Sequence, residues 1–266
     1  MGKERLDILV TSLGLFESRE AAKRAIMAGI VLVNNEPVDK AGTKIAVDAE
    51  IRVKGAVMPY VSRGGYKLEQ AIKTFNLDLT NKIIIDVGAS TGGFTDCALQ
   101  NGAIKSYAVD VGYNQLAWKL RQDNRVVSME RVNFRHMTVD DLSQGLPTFA
   151  CMDVSFISIK LLLPVLKKIL SPDGQIVALI KPQFEAGKAN VGKKGIVKDA
   201  KIHKQVIADI TEFARELELV PLGLTYSPIK GGEGNIEFLI HLGRDGKDIV
   251  DDELINKIVA TAHEGL

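Results

Sequence analysis

From Lys82 onward, short apolar runs alternate with segments of helical periodicity, and that alternation constrains the fold more than any other feature of the chain. Ile83 to Val87, Ser106 to Val109, Val126 to Met129, Phe149 to Val154 and Ile176 to Ile180 read as strands. Phe94 to Leu99, Asn114 to Leu120 and Leu161 to Leu170 read as the helices between them. Ile202 to Leu217 predicts a long helix, Leu219 to Tyr226 and Ile236 to Leu242 two more strands, and Asp252 to Ala262 a terminal helix. Such alternation builds an α/β fold, a mostly parallel sheet covered on both faces. With 46% hydrophobic and 25% charged residues, the 266-residue chain has globular composition, which excludes a disordered chain, a collagen-like fibre or a disulfide scaffold. Its apolar runs are too short to cross a bilayer, and the charged start, Met1 to Arg5, has no signal-peptide core. Cys97 and Cys151 lie far apart in apolar settings and read as reduced core residues of a cytoplasmic protein.

The first stretch follows a different grammar. Leu6, Leu9, Val10 and Leu13 repeat at helical spacing, with Gly14 as a stop. Ser18 is an N-cap for a second helix through Ala21, Ala22, Ala25 and Ile26, ended by Gly29. Ile30 to Val33 predicts a strand, Asn34-Asn35 a turn, Val38 the start of a return strand, and Ile51 with Val53 a third strand. Two helices and three strands make a small α+β domain over residues 1–56. Residues 57–62, with Pro59, form an extended linker, and residues 63–266 the main domain, entered through a helix from Lys67 to Phe75.

The first strand of the main domain runs into a glycine-rich turn. Asp86 is followed by Gly88, Ala89, Ser90, Thr91, Gly92, Gly93 and Phe94, a strand-to-helix position where such sheets bind ligands. The spacing is neither the dinucleotide fingerprint nor a phosphate loop. Asp110, with Val111 beside it, ends the second strand, where a carboxylate can accept from two ribose hydroxyls. Together these favour S-adenosylmethionine (SAM), its carboxylate facing the helix N-terminus after Gly92. The bland alternative is a tight turn without a ligand.

Four polar residues stand where an apolar sheet does not tolerate them unpaired. Lys67 precedes the first strand, Asp153 ends the fourth, Lys181 ends the fifth, and Glu237 lies in the last between Ile236 and Phe238. The topology lets Asp153 and Lys181 meet above the cofactor turn. A desolvated lysine beside a second cation can lose its proton, so Lys181 near Lys67, held by Asp153 and Glu237, can accept one from a hydroxyl. The competing reading is two structural ion pairs.

These segments together resemble the TlyA family, historically called hemolysin A and understood as SAM-dependent ribosomal RNA 2′-O-methyltransferases. Ser18 to Ala22 and Gly29 to Asn34 resemble an S4-type RNA-binding domain. Ser62 to Leu68, Asp86 to Asp96, Ala108 to Gly112 and Lys181 to Glu185 resemble the FtsJ-like Rossmann methyltransferases. The resemblance implies a Rossmann-like SAM-dependent methyltransferase sheet behind an S4-type domain. It also implies a Lys-Asp-Lys-Glu catalytic tetrad at Lys67, Asp153, Lys181 and Glu237. It implies SAM as cofactor and methyl transfer to a ribose 2′-hydroxyl, of cytidine, in small or large subunit rRNA. Relatives often carry Arg-x-Trp-Val where Met58-Pro59-Tyr60-Val61 stands here.

With net charge +1, RNA affinity must come from local basic surfaces. Candidates are Arg19, Lys23 and Arg24 on the second helix, Arg63 after the linker, and Lys188, Lys193 and Lys194 in a glycine-rich stretch that suggests a mobile loop closing on RNA. Tyr66, Phe156 and Phe184 can stack on a displaced base or serve the core equally well. The histidines show no metal-ligand spacing, His203 is expected on an exposed helix face, and no metal is expected. The rival functions are a membrane-active cytolysin, disfavoured by the lack of an apolar span or basic amphipathic helix, and a non-catalytic SAM-binding RNA protein, disfavoured by the tetrad.

Overall fold

The computed structural model describes residues 2–13, 15–16, 18–54, 58–231 and 234–266. Gly14 and Val57, read as a helix stop and the first linker residue, lie outside the described residues. The chain divides into two compact units, Met1–Pro59 and Tyr60–Leu266.

The first unit contains β1 (Lys3–Arg5), α1 (Leu6–Ser12), α2 (Arg19–Met27), β2 (Val31–Val33), β3 (Glu36–Pro37), β4 (Lys44–Ala46) and β5 (Ile51–Val53). Ser18 caps α2, its hydroxyl accepting from the Ala21 amide at 3.2 Å. Leu6, Val10, Ala22, Ile26 and Val31 form a fully buried core between the helices and the sheet β3-β2-β5. Among the described residues, five strands stand where the pattern suggested three. The additional pair, β1 with β4, is fixed by long-range antiparallel pairing of Lys3 with Ala46, which a polar Lys-Glu-Arg run does not announce. The return strand is Glu36–Pro37 rather than a run from Val38.

The second unit is one seven-stranded sheet of order β11-β12-β10-β9-β6-β7-β8. Its strands are β6 (Ile83–Val87), β7 (Lys105–Asp110), β8 (Val126–Glu130), β9 (Phe149–Met152), β10 (Gln175–Ile180), β11 (Val220–Tyr226) and β12 (Phe238–Gly243). Strands β8, β7, β6, β9 and β10 are parallel, and β12 runs antiparallel to both β10 and β11. Alternate residues of β6 serve opposite faces. Ile85 and Val87 pack under α6 (Leu163–Ile169), α8 (Ala200–Glu216) and α9 (Asp252–Gly265), and Ile84 under α3 (Gly64–Phe75) and α4 (Gly93–Gln100).

Three local expectations need correction. Asn114 to Leu120 is not a helix: only α5 (Trp118–Arg121) is helical, Asn114 is left-handed at φ 58°, and the Glu130 carboxylate accepts the Gln115 amide at 2.9 Å. The helix expected from Leu161 starts at Leu163, after a 3-10 turn capped by Ser158. His203 is fully buried, its ring nitrogens 3.0 Å from the Val197 carbonyl and 3.0 Å from His263. It shares the sheet-facing stripe of α8 with Val206, Ile207, Ile210 and Ala214.

Candidate active site

The site lies at the carboxyl ends of β6, β7, β9 and β10, where the parallel strands release their chains. Gly88 has φ 84°, and a Cβ there would lie 3.0 Å from a Val154 methyl and press on the Asp153 carbonyl. Gly92 has φ 97°, where a Cβ would strike Leu120. Only glycine lets β6 turn this tightly into α4. Asp86 is buried, and one carboxylate oxygen accepts from the Thr95 amide at 2.9 Å and the Thr95 hydroxyl at 2.8 Å. Its other oxygen is buried with no partner among the described residues. Burial pushes this carboxyl up to about 7, despite the Thr95 bonds. A cationic group in the adjoining cavity would satisfy that oxygen, so the residues present fit an amino-acid ligand.

Asp110 takes the Ser90 amide on one oxygen and the Gly112 amide on the other, each at 2.7 Å. It therefore ties the glycine turn to the end of β7, and each oxygen retains a second acceptor position. A cavity of about 350 Å³ is walled by Arg63, Lys67, Asp86, Gly88, Asp153 and Lys181, among others. A neighbouring hollow of about 390 Å³ is walled by Asp110, Val111, Phe134, Val154 and Leu162. Gly88, Ser90, Asp153 and Ser155 line both, so the two are continuous parts of one cleft. Ala89, Thr91, Gly93 and Phe94 also line the first.

The four polar residues meet. Lys67 donates to Asp153 at 3.0 Å and to Glu237 at 2.8 Å, while Lys181 pairs with the other Asp153 oxygen at 2.6 Å and donates to the Ser155 hydroxyl at 3.1 Å. Asp153 follows β9 by one residue, Lys181 caps α7 (Pro182–Glu185), and Glu237 stands just before β12 rather than inside it. Burial alone would raise the Asp153 carboxyl, but Lys67 and Lys181 hold it below its ordinary value. Burial alone would lower the Lys67 amine, but Asp153 and Glu237 raise it, so Lys67 is a fixed cation.

Sequence reasoning missed Ser155, two residues after Asp153, and Gln183, inside the Lys181 to Glu185 segment, which both touch this cluster. It also missed Lys230, which reaches the cavity wall from the loop after β11 and leaves no local signal. Phe156 is 90% exposed at φ 64°, its ring 5.1 Å from that of Phe184. Tyr66 instead meets Tyr60 edge-on at 5.8 Å. The basic stretch is tethered at its far end, where Asn235 bonds the Gly195 carbonyl at 2.9 Å and the Val197 amide at 3.0 Å; Lys188, Lys193 and Lys194 are exposed. On α2, Arg19 donates to buried Asp7 at 2.8 Å and Lys23 to Glu20 at 2.7 Å.

A sheet of five parallel strands closed by an antiparallel β12, with a glycine turn after its first strand and a carboxylate after its second, defines a Rossmann-like SAM-dependent methyltransferase fold. FtsJ-like methyltransferases match residues 60–244, and the S4 domain matches residues 4–51. YqxC of Bacillus subtilis, described as an rRNA methyltransferase, is 56% identical over 99% of this chain and 95% of its own. The 16S/23S rRNA (cytidine-2′-O)-methyltransferase TlyA of Mycobacterium tuberculosis is 38% identical over 90% of each chain. A solved Streptococcus thermophilus structure, described as a hemolysin, superposes with TM-score 0.78 at 54% identity, covering 100% of this chain and 97% of that one. The chain belongs to the TlyA family of FtsJ-like methyltransferases, with an S4 domain at its N-terminal end.

Proposed function

We propose that this protein transfers a methyl group from SAM to a ribose 2′-hydroxyl of ribosomal RNA, with cytidine as the target nucleoside. The observation that carries the reading is the buried Lys67-Asp153-Lys181-Glu237 cluster, assembled in the same cleft as the glycine turn. The relatives named for rRNA methylation support the substrate. Residues 1–56 form the RNA-binding domain, 57–62 the linker and 63–266 the methyltransferase domain. When bound, SAM supplies an electrophilic methyl on a sulfonium that is already a good leaving group. Asp86 and the 88–94 turn would hold its amino-acid end, and Asp110 with Val111 its nucleoside. Lys181 takes or orients the proton of the hydroxyl, Asp153 holds Lys181, and Lys67 and Glu237 keep Asp153 in place. The protein's contribution is chiefly alignment.

Phe156, exposed, and Phe184, half-buried, line with Lys188 a hollow of about 510 Å³ that suits a displaced base. Arg63, Lys188, Lys193 and Lys194 on one unit and Arg24 on the other are exposed cations suited to phosphates, and half-buried Lys23, paired with Glu20, stands beside Arg24. We infer a cytoplasmic enzyme, since its substrate would be there; no described helix is long and apolar enough to cross a membrane. The test is transfer of labelled methyl to ribosomal subunits followed by mapping of 2′-O-methyls. Label in a base or in protein, or none, would overturn this reading.

A further inference from the structure

Glu237 is 1% exposed and uses both carboxylate oxygens. One accepts from Lys67 at 2.8 Å, and the other accepts from the Gln183 side-chain amide at 3.2 Å. Gln183 stands two residues after Lys181, within α7, whose N-cap is Lys181 itself. The contacts therefore close on themselves. Lys181 holds Asp153, Asp153 holds Lys67, Lys67 holds Glu237, Glu237 holds Gln183, and the backbone returns from Gln183 to Lys181.

An open chain would leave Glu237 free about its last torsion, which is broad for a carboxylate. The Gln183 bond removes that freedom on one side. Gly231 packs against the same oxygen that Gln183 holds, so close that a Cβ there would strike the carboxylate. The orientation of the amide is also informative. Its oxygen is buried without a partner among the described residues, a costly arrangement that leucine or methionine would avoid. Turning the amide over would set two acceptors face to face and forfeit the charge-assisted bond to Glu237. The bond to Glu237 accounts for an amide at this position.

We propose that Gln183 is a positioning residue for methyl transfer: by holding Glu237 against Lys67 it locks the ring that aims Lys181 at the hydroxyl. This rests on the reading of the tetrad given under the proposed function. The charged groups facing the ring are Lys67 from α3, Asp86 from β6, Asp153 after β9, Lys181 before α7, and Arg63 and Lys230 on the cavity wall.

The test compares full-length wild type, Gln183→Leu and Gln183→Glu in single-turnover transfer to ribosomal subunits, from mildly acid to mildly alkaline pH. Gln183→Leu should lower the rate about tenfold at every pH, with SAM and RNA affinities within about twofold of wild type. Gln183→Glu should match wild type at the acid end, where a shared proton makes the second carboxyl a donor. Its rate should then fall as pH rises and the two carboxylates repel, a loss absent from wild type. A readout independent of turnover is the titration of the Lys67 amine, followed by NMR on ¹³C-labelled lysine. It should shift downward in Gln183→Leu, where Glu237 is no longer held against it. Wild-type rates in both variants overturn the proposal. So does a loss of rate accompanied by an unchanged Lys67 titration and a lowered melting temperature, which marks a merely structural role. A wild type that methylates no RNA overturns the proposed function instead, and the Lys67 titration then decides the positioning role alone.

Discussion

Asp86 keeps one carboxylate oxygen on Thr95 and leaves the other without a partner among the described residues, and burial pushes it up to about 7. The folded chain thus holds a proton that the unfolded chain releases near 3.8. The corresponding stability is fully present below that lower value and is lost as pH rises through about 7. Asp86→Asn should therefore flatten the fall in melting temperature over that window and make the ligand-free protein the more stable of the two at alkaline pH, by up to about 4 kcal/mol. Thermal denaturation of both proteins across the window checks this. A cationic ligand group beside Asp86 favours the ionised form, so SAM affinity should rise with pH in the wild type and not in the variant. Calorimetric titration at two pH values would read the difference, and equal pH dependence in both proteins would remove Asp86 from the ligand's surroundings. Asp110→Ala removes acceptors from the Ser90 and Gly112 amides as well as from the ligand. It should weaken SAM binding by about 1–3 kcal/mol, and preferential binding of NAD instead would sink the cofactor assignment.

At the scale of elements, α2 separates two roles that the sequence ran together. Arg19 points its guanidinium at Asp7, which is buried and also held by Arg5 at 3.0 Å. Arg19→Ala should cost the first unit about 1–3 kcal/mol of stability, because a buried carboxylate loses a charged donor. Lys23→Ala with Arg24→Ala should instead leave the melting temperature nearly unchanged and reduce the log–log salt slope of RNA binding by about 2, if each side chain meets one phosphate. An unchanged slope would return α2 to a solvated surface. What was legible in the sequence follows the same division between local and distant causes. The β6 turn and α4 could be read because an apolar run, its glycines and the following helix are contiguous. That Asp153, Lys181 and Glu237 meet could be read because each stands against an apolar run, where an unpaired charge is intolerable; Lys67 lies in a mixed helix start and gives no such signal. Strands β1 and β4 could not, since each is three residues paired with a distant partner. The 114–117 segment could not, because the Glu130 side chain accepts the Gln115 and Leu116 amides and the Thr91 carbonyl accepts that of Ala117, in place of helical bonds. His203 was misjudged because burial at that position depends on α9 supplying His263 as a partner. Gln183 and Lys230 owe their places to side chains and loops that meet only in the folded sheet.

Across the whole molecule, a net charge of +1 gives no general attraction for RNA, so under the proposed function affinity would rest on patches in both units and chemistry on one buried cluster. Binding and turnover should therefore separate under mutation. Lys181 is 8% exposed, holds Asp153 at 2.6 Å and reaches Ser155 at 3.1 Å, and none of these contacts is made by the basic surfaces. Lys181→Ala should abolish methyl transfer with SAM and RNA affinities nearly intact, because the lost interaction matters chiefly in the transition state. Asp153→Ala should also lose activity, and more of its fold, since it strands two buried ammonium groups at once. Lys181→Arg decides between the two roles open to the lysine. A guanidinium keeps its proton at any working pH, so the variant can orient a hydroxyl but cannot accept its proton. Single-turnover transfer of labelled methyl to ribosomal subunits, followed across pH, should show Lys181→Arg as inactive as Lys181→Ala if the amine is the base. Near-normal rates in Lys181→Arg would make residue 181 a positioning cation and send the proton to solvent. Activity in Lys181→Ala as well would leave the cluster a structural ion-pair ring and remove the proposed chemistry from it.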